Sequence, residues 1–275
     1  MSVRLNDEEL KKLQKIELEM LIEIDRICRK YKIKYSLGGG TLLGAIRHNG
    51  FIPWDDDADV TMIRTEYKKF RRACKKELDK SRFFLQDWTT DPGYRWGYAK
   101  MRRNDTLFIG ENQERLNQHQ GVFLDIFIYD NVPDGFIARR VHYFLAFLIR
   151  KIQYSEVAKY KEKNPFYRTL YKLINHIPVK YTFKWLDALG RITNRHKTKL
   201  IRHMTFTYDG SNKFGMPRRC FDSYIDKDFE GHMFRIYKEY DYYLKWAYGD
   251  YMKLPPEDKR IPYPVSEFKL IDVDV

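Results

Sequence analysis

Cysteine is scarce: Cys28, Cys74 and Cys220 are the three in 275 residues, far apart and without C-x-x-C spacing. That excludes a thiolate zinc site and a disulfide framework, and fits a reducing cytosol. Long apolar runs are missing as well. The longest, residues 141–149 (VHYFLAFLI), is too short to cross a bilayer and contains His142. The amino-terminal MSVRLNDEELKKLQKIELEM is charged throughout, with no apolar signal core, which predicts a cytoplasmic protein. Acidic residues are the minority, 38 Asp and Glu against 51 Lys and Arg, and the net charge of +13 favours anionic partners. These are nucleotides, nucleic acid, phosphorylated glycans or an acidic membrane face. No nucleic-acid motif accompanies the charge, so nucleic acid is not expected.

What is present is a chain long enough for a real core and, at 16% aromatic, far from the composition of a disordered basic tail. Asn6 followed by Glu9 reads as a capping box, and Leu10, Leu13, Ile16, Met20, Leu21, Ile24 and Ile27 recur at helical spacing. Residues 33–37 alternate like a short strand. Glycines follow, and residues 41–48 read as a short helix ended by Asn49 and Gly50. Residues 60–63 read as half a strand, 65–80 as a basic helix, and 94–101 and 121–129 as two further strands. The order predicts an α+β or mixed α/β core. Residues 136–200 turn helical, basic and aromatic, with Pro165 and Pro178 as breaks, and are expected to be an insertion or lid that meets an anionic glycan or an acidic membrane surface. The remainder reads as loops and turns around one helix, residues 234–248.

The most informative stretch is GGGTLLGAIRHNGFIPWDDDADV, residues 38–60. Four carboxylates, Asp55, Asp56, Asp57 and Asp59, fall within five positions and repel one another unless a cation shares them. On an extended strand Asp55, Asp57 and Asp59 point one way and Asp56 the other, a hard-oxygen site for Mg²⁺ or Mn²⁺. A calcium loop is the rival, with Asp55, Asp57, Asp59 and Glu66 at its first, third, fifth and twelfth positions. It needs glycine at the sixth, where the chain has β-branched Val60. A solvated acidic loop fits poorly between Phe51, Ile52, Trp54 and Val60. Upstream, Gly39, Gly40 and Thr41 lead from strand to helix and place backbone N–H groups beside the aspartates, where a phosphate would sit.

Asp125 lies alone in the apolar run GVFLDIFIYD and needs a partner, which is a metal, a reacting hydroxyl or an arginine. Trp96, Tyr98, Lys100 and Arg102 share one face of the strand before it. That face is either a bed for a nucleotide diphosphate or a solvated exterior.

The run GGGTLLGAIRHNGFIPWDDDAD resembles the signature of the LicD family, and the resemblance extends to YAKMRRNDT (98–106), GVFLDIF (121–127) and YGDYMKLPPEDKR (248–260). It departs in two places. The PVSEFKLIDV ending lacks a histidine expected soon after the Lys-Arg pair, and residues 136–200 match nothing. The resemblance implies a single domain: a nucleotidyltransferase-like core over 1–135 with a mixed sheet flanked by helices, the basic helical insertion over 136–200, and completion over 201–275. It also implies metal-dependent transfer of a phospho-alcohol, with CDP-choline as favoured donor, to a glycan or glycolipid acceptor. Carried over by position, Gly40 and Thr41 form the glycine turn, Asp57 and Asp59 the D-x-D pair, Asp125 the third acid and Asp55 an extra aspartate. In that scheme Mg²⁺ or Mn²⁺ is held by Asp55, Asp57, Asp59 and Asp125, while Lys100, Arg102 and Arg47 offset the departing charge. Transfer of a nucleotidyl group from an NTP is the alternative chemistry on the same fold.

Overall fold

The computed structural model describes residues 2–208 and 214–275. It opens with an amphipathic helix, α1 (Asp7–Lys30), whose cap is the expected reciprocal box: the Glu9 N–H donates to Asn6 Oδ1 at 3.0 Å and the Asn6 N–H to Glu9 Oε2 at 2.9 Å. Its apolar stripe packs into the main core. Three acids, Glu17, Glu19 and Glu23, are buried with it. Glu19 is paired with Arg82 and Arg103, and Glu23 with Arg26.

Then follow β1 (Ser36–Leu37), α2 (Gly39–Arg47), β2 (Asp59–Ile63), α3 (Arg64–Glu77), β3 (Phe83–Gln86), β4 (Ala99–Arg103), β5 (Leu107–Gly110) and β6 (Phe123–Val132). The principal sheet has the order β1-β2-β6-β4-β3, with β2 parallel to β6 and the other neighbours antiparallel. Central β6 outruns β4, and its second half pairs with β7 (Leu200–His203), which in turn pairs with β8 (Met216–Pro217). This mixed sheet with helices on its faces is an α+β core.

Between β6 and β7 stand α4 (Phe136–Lys161), α5 (Pro165–Ile174) and α6 (Val179–Thr193). Pro165 is the first residue of α5 and Pro178 the cap of α6, positions where a missing N–H costs no helical hydrogen bond. Among the described residues no helix is long and apolar enough to cross a membrane.

The carboxy-terminal part differs from the single helix expected over 234–248. Phe234, Ile236 and Tyr237 belong to β10 (His232–Tyr237), paired with β9 (Tyr224–Phe229) through Glu230 and Gly231 at φ +53° and +76°. Two successive left-handed residues make the tight turn that suits a hairpin. Helix α7 (Tyr240–Tyr248) starts only afterwards, and β11 (Val265–Lys269) returns to pair with β5. The strand expected from residue 94 begins at Ala99, after turns over the preceding residues.

Candidate active site

The site begins where β1 hands the chain to α2. The Gly38 N–H donates to the Asp59 carbonyl at 2.9 Å, and the Asp59 N–H to Thr41 Oγ1 at 2.7 Å, so the glycine turn is tied to the first residue of β2. Gly39 is left-handed, φ +48°, and a Cβ there would strike the Asp59 carboxylate. A Cβ on Gly40 would lie 2.5 Å from Asp55 Oδ2. The turn is bare of side chains because two carboxylates sit directly against its backbone. Thr41 is thereby engaged as a fastener between the turn and β2.

Only Asp59 of the four aspartates is in the strand. Residues 55–58 approach it from a turn at Pro53 and Trp54, and with no ladder to impose a pleat, Asp56 does not point away from its neighbours as strict alternation requires. One carboxylate oxygen from each of Asp55, Asp56 and Asp57 lies within 4.8 Å of the others, a group able to hold a metal ion. Burial and then the negative charge of Asp57 raise Asp55 to about 8 and Asp56 to about 7. Burial and Asp125 raise Asp57 to about 6, and Asp59 is pushed well above the usual carboxylate range by burial and by Asp57.

Among the described residues two buried carboxylate oxygens have no hydrogen-bond partner: Asp59 Oδ1 and Glu17 Oε2. Glu17 is buried on α1, and its acidity is suppressed by burial and then by Asp57, Asp55, Asp56 and Asp59. The sequence held a signal for it, an acid four residues after Leu13 and three before Met20 on the inward stripe. A crowd of oxygen donors with orphaned acceptors among them fits a hard divalent cation such as Mg²⁺ or Mn²⁺.

Asp125 stands opposite Asp59 in the parallel β2–β6 ladder and opposite Lys100 in the antiparallel β4–β6 ladder. Lys100 Nζ is ion-paired with Asp125 Oδ1, and both residues are buried. The protein partner of the lone acid is therefore a lysine one strand away. Burial raises the Asp125 carboxyl, opposed by Lys100, and burial lowers Lys100 to about 8. Arg102 is buried as well, lowered to about 10 by desolvation, and donates to Gln86 Oε1 at 2.7 Å and to the Gly121 carbonyl at 2.6 Å. No carboxylate among the described residues forms an ion pair with it. Arg47 donates to the Tyr251 carbonyl at 2.8 Å, and its positive charge partly opposes the rise at Asp55.

Two cavities meet over these groups. The larger, about 680 Å³, has Gly39, Gly40, Asp55, Asp57, Asp59 and Asp125 on its floor, and Phe127, Tyr129, Tyr208, Tyr243, Trp246 and Tyr248 among its walls. The smaller, about 270 Å³, is lined by Trp96, Lys100, Arg102, Gln113, Gln118 and Gln120. Asp57, Tyr98, Asp125 and Tyr263 border both. The aromatic walls come largely from β6, the segment after β7, and α7. Sequence reading offered no sign of them beyond the abundance of tyrosine.

A family model described as LicD/FKTN/FKRP, nucleotidyltransferase domain, matches residues 32–143, the stretch that runs from β1 through β6 into α4. Lipopolysaccharide cholinephosphotransferase LicD of Haemophilus influenzae is 32% identical over 281 residues, covering 94% of this chain and 97% of that protein. An uncharacterized protein of Rickettsia prowazekii is 39% identical over 70 residues, 23% of this chain and 26% of its own length. One of Rickettsia typhi is 37% identical over 54 residues, 20% of this chain and 18% of its own.

Proposed function

The chain belongs to the LicD family, and from that premise we propose that it transfers phosphocholine from CDP-choline to a hydroxyl of a cell-surface glycan or its lipid-linked precursor. The observation that carries the reading is the shared border of the two cavities, where Asp57 and Asp125 face both. A transferase joining two substrates needs one reacting centre open from two sides.

The donor belongs in the larger chamber. Its diphosphate would lie against the Gly39–Gly40 backbone at the amino end of α2, where N–H groups and the helix dipole favour negative charge. The tyrosines and Trp246 offer ring faces to a quaternary ammonium or to the cytosine ring. The acceptor belongs in the smaller cavity, whose glutamines suit a polyhydroxyl ligand and whose Arg102 forms no ion pair with a carboxylate among the described residues. The name of the Haemophilus influenzae relative supports both choline and a lipopolysaccharide-type acceptor.

In the reaction the acceptor oxygen bonds to the phosphorus that carries choline, the bond from that phosphorus to the CMP oxygen breaks, and the hydroxyl proton is released. Asp125, at the boundary, accepts that proton, and Lys100 and Arg102 offset charge gathering on the phosphoryl oxygens. Asp55, Asp56, Asp57 and Asp59 would hold the divalent cation, which when bound neutralises charge on the diphosphate and on departing CMP.

Thermal unfolding with Mg²⁺ and each of CDP-choline, CDP-ethanolamine, CDP-glycerol, CDP-ribitol and ATP tests this. A ligand at a hundredfold excess over its Kd adds about 2.7 kcal/mol, several degrees in Tm. The expected result is a metal-dependent shift with CDP-choline that Asp57→Asn abolishes, and CMP release when acceptor is added. A shift with ATP alone and pyrophosphate among the products would replace the proposal with nucleotidyl transfer.

A further inference from the structure

The helical insertion carries almost the whole charge of the protein. Residues 136–200 contain 15 Lys and Arg but only 3 Asp and Glu, in a chain whose net charge is +13. Two of those acids are already paired, Glu156 with Lys159 and Asp187 with Arg64.

The same segment exposes apolar residues at helical spacing. On α4, Ile137, Val141, Phe144 and Leu148 form one stripe, with Ile137 76% and Phe144 56% exposed. Further along the same face the stripe is covered: Lys151 donates to Tyr171 Oη at 3.0 Å and Ser155 to Asn175 Oδ1 at 2.9 Å, both at α5. The amino-terminal half of the face is left open. Helix α5 adds an outer row of its own, Phe166, Leu170 and Leu173, with Phe166 72% exposed. Cations rim the apolar surface: the Arg140 guanidinium lies 4.2 Å from the Phe136 ring centroid, and the Arg150 guanidinium and Lys151 ammonium lie 5.6 and 5.4 Å from that of Phe147.

We propose that the exposed faces of α4 and α5 form a docking surface for a membrane rich in anionic lipid headgroups, with the apolar stripe entering the headgroup boundary and the surrounding Lys and Arg contacting phosphates. Charge complementarity selects this occupant. A second copy of the chain would set one basic face against another, and a soluble anionic glycan would leave the apolar stripe uncovered. A lipid surface satisfies both features at once, because long cationic side chains reach headgroups while their neighbours insert. The inference does not depend on the identity of the donor or acceptor.

The test is cosedimentation of the full chain with vesicles of phosphatidylglycerol and phosphatidylcholine in equal amounts, compared with pure phosphatidylcholine. Binding is expected only to the mixed vesicles, weakening as salt is raised. The exposed double variant Phe144→Ser/Leu148→Ser should lose at least about tenfold in vesicle affinity while keeping the wild-type Tm, since removing two inserted side chains costs more than that factor. Arg140→Gln/Arg150→Gln should lose affinity and also salt dependence. Absence of binding to the mixed vesicles overturns the proposal. So does binding that the serine variant leaves unchanged, which would mean adsorption by charge alone. A concentration-dependent dimer that the serine variant dissolves would assign the face to a second copy and likewise overturn it.

Discussion

Asp57 is the residue at which most of the site's electrostatics converge. Its negative charge makes Asp55, Asp56 and Asp59 weaker acids, and it borders both cavities. Asp57→Asn removes one member of a repelling group, so the metal-free variant should unfold at a higher temperature than wild type. Turnover should fall by about a hundredfold or more, the scale of losing one charge-stabilising group. A folded Asp57→Asn protein with wild-type turnover would remove this residue from the reaction. Gly39 makes the companion case through shape. Gly39→Ala introduces a left-handed alanine against the Asp59 carboxylate, and about 1 kcal/mol of backbone strain should appear as a lower urea midpoint. Its KM for the CDP-alcohol should rise as the turn is displaced.

At the scale of elements, the decisive feature is how the loop-to-helix turn is bolted to β2. The buried Thr41 hydroxyl accepts the Asp59 N–H, so Thr41→Val should leave that donor unsatisfied and lower stability by about 1–3 kcal/mol, read as a shift of the denaturant midpoint with unchanged slope. Much of this level was legible beforehand. The Asn6–Glu9 box, the apolar stripe of α1 and the strand containing Asp125 are local patterns, and local patterns survive into the fold. Less legible were features set by distant partners. Residues 234–237 join a hairpin because β9 lies beside them, although Phe234 and Tyr237 are also compatible with one face of a helix. The aspartates cluster instead of alternating because β2 pairs only from Asp59 onward. Lys100 meets Asp125 through a β4–β6 register that no spacing along the chain reveals. The aromatic chamber was invisible for the same reason: its walls are brought together from residues 127 to 263.

For the whole molecule, the buried carboxylates couple stability to pH and to metal. Asp55, Asp56 and Asp57 ionise near 4 when unfolded, but only near 8, 7 and 6 in the metal-free folded protein. Between those limits the folded state binds more protons, so stability falls as pH rises from about 4 to about 8. Calorimetry after chelation should therefore give a Tm several degrees lower at pH 8 than at pH 5. Saturating Mg²⁺ should abolish that slope, because the bound cation takes the place of the protons. A metal-free Tm that climbs over the same interval would contradict the arrangement. The division of the chamber between segments has a further consequence. Its floor of carboxylates and glycines comes from residues 39–125, while Tyr208, Tyr243, Trp246 and Tyr248 close it from the carboxy-terminal third. With the donor placed there as proposed, exchanges among those wall residues would alter the size of the guest without displacing a carboxylate, so descendants of one ancestral gene could acquire a taste for different alcohols while inheriting the same reaction.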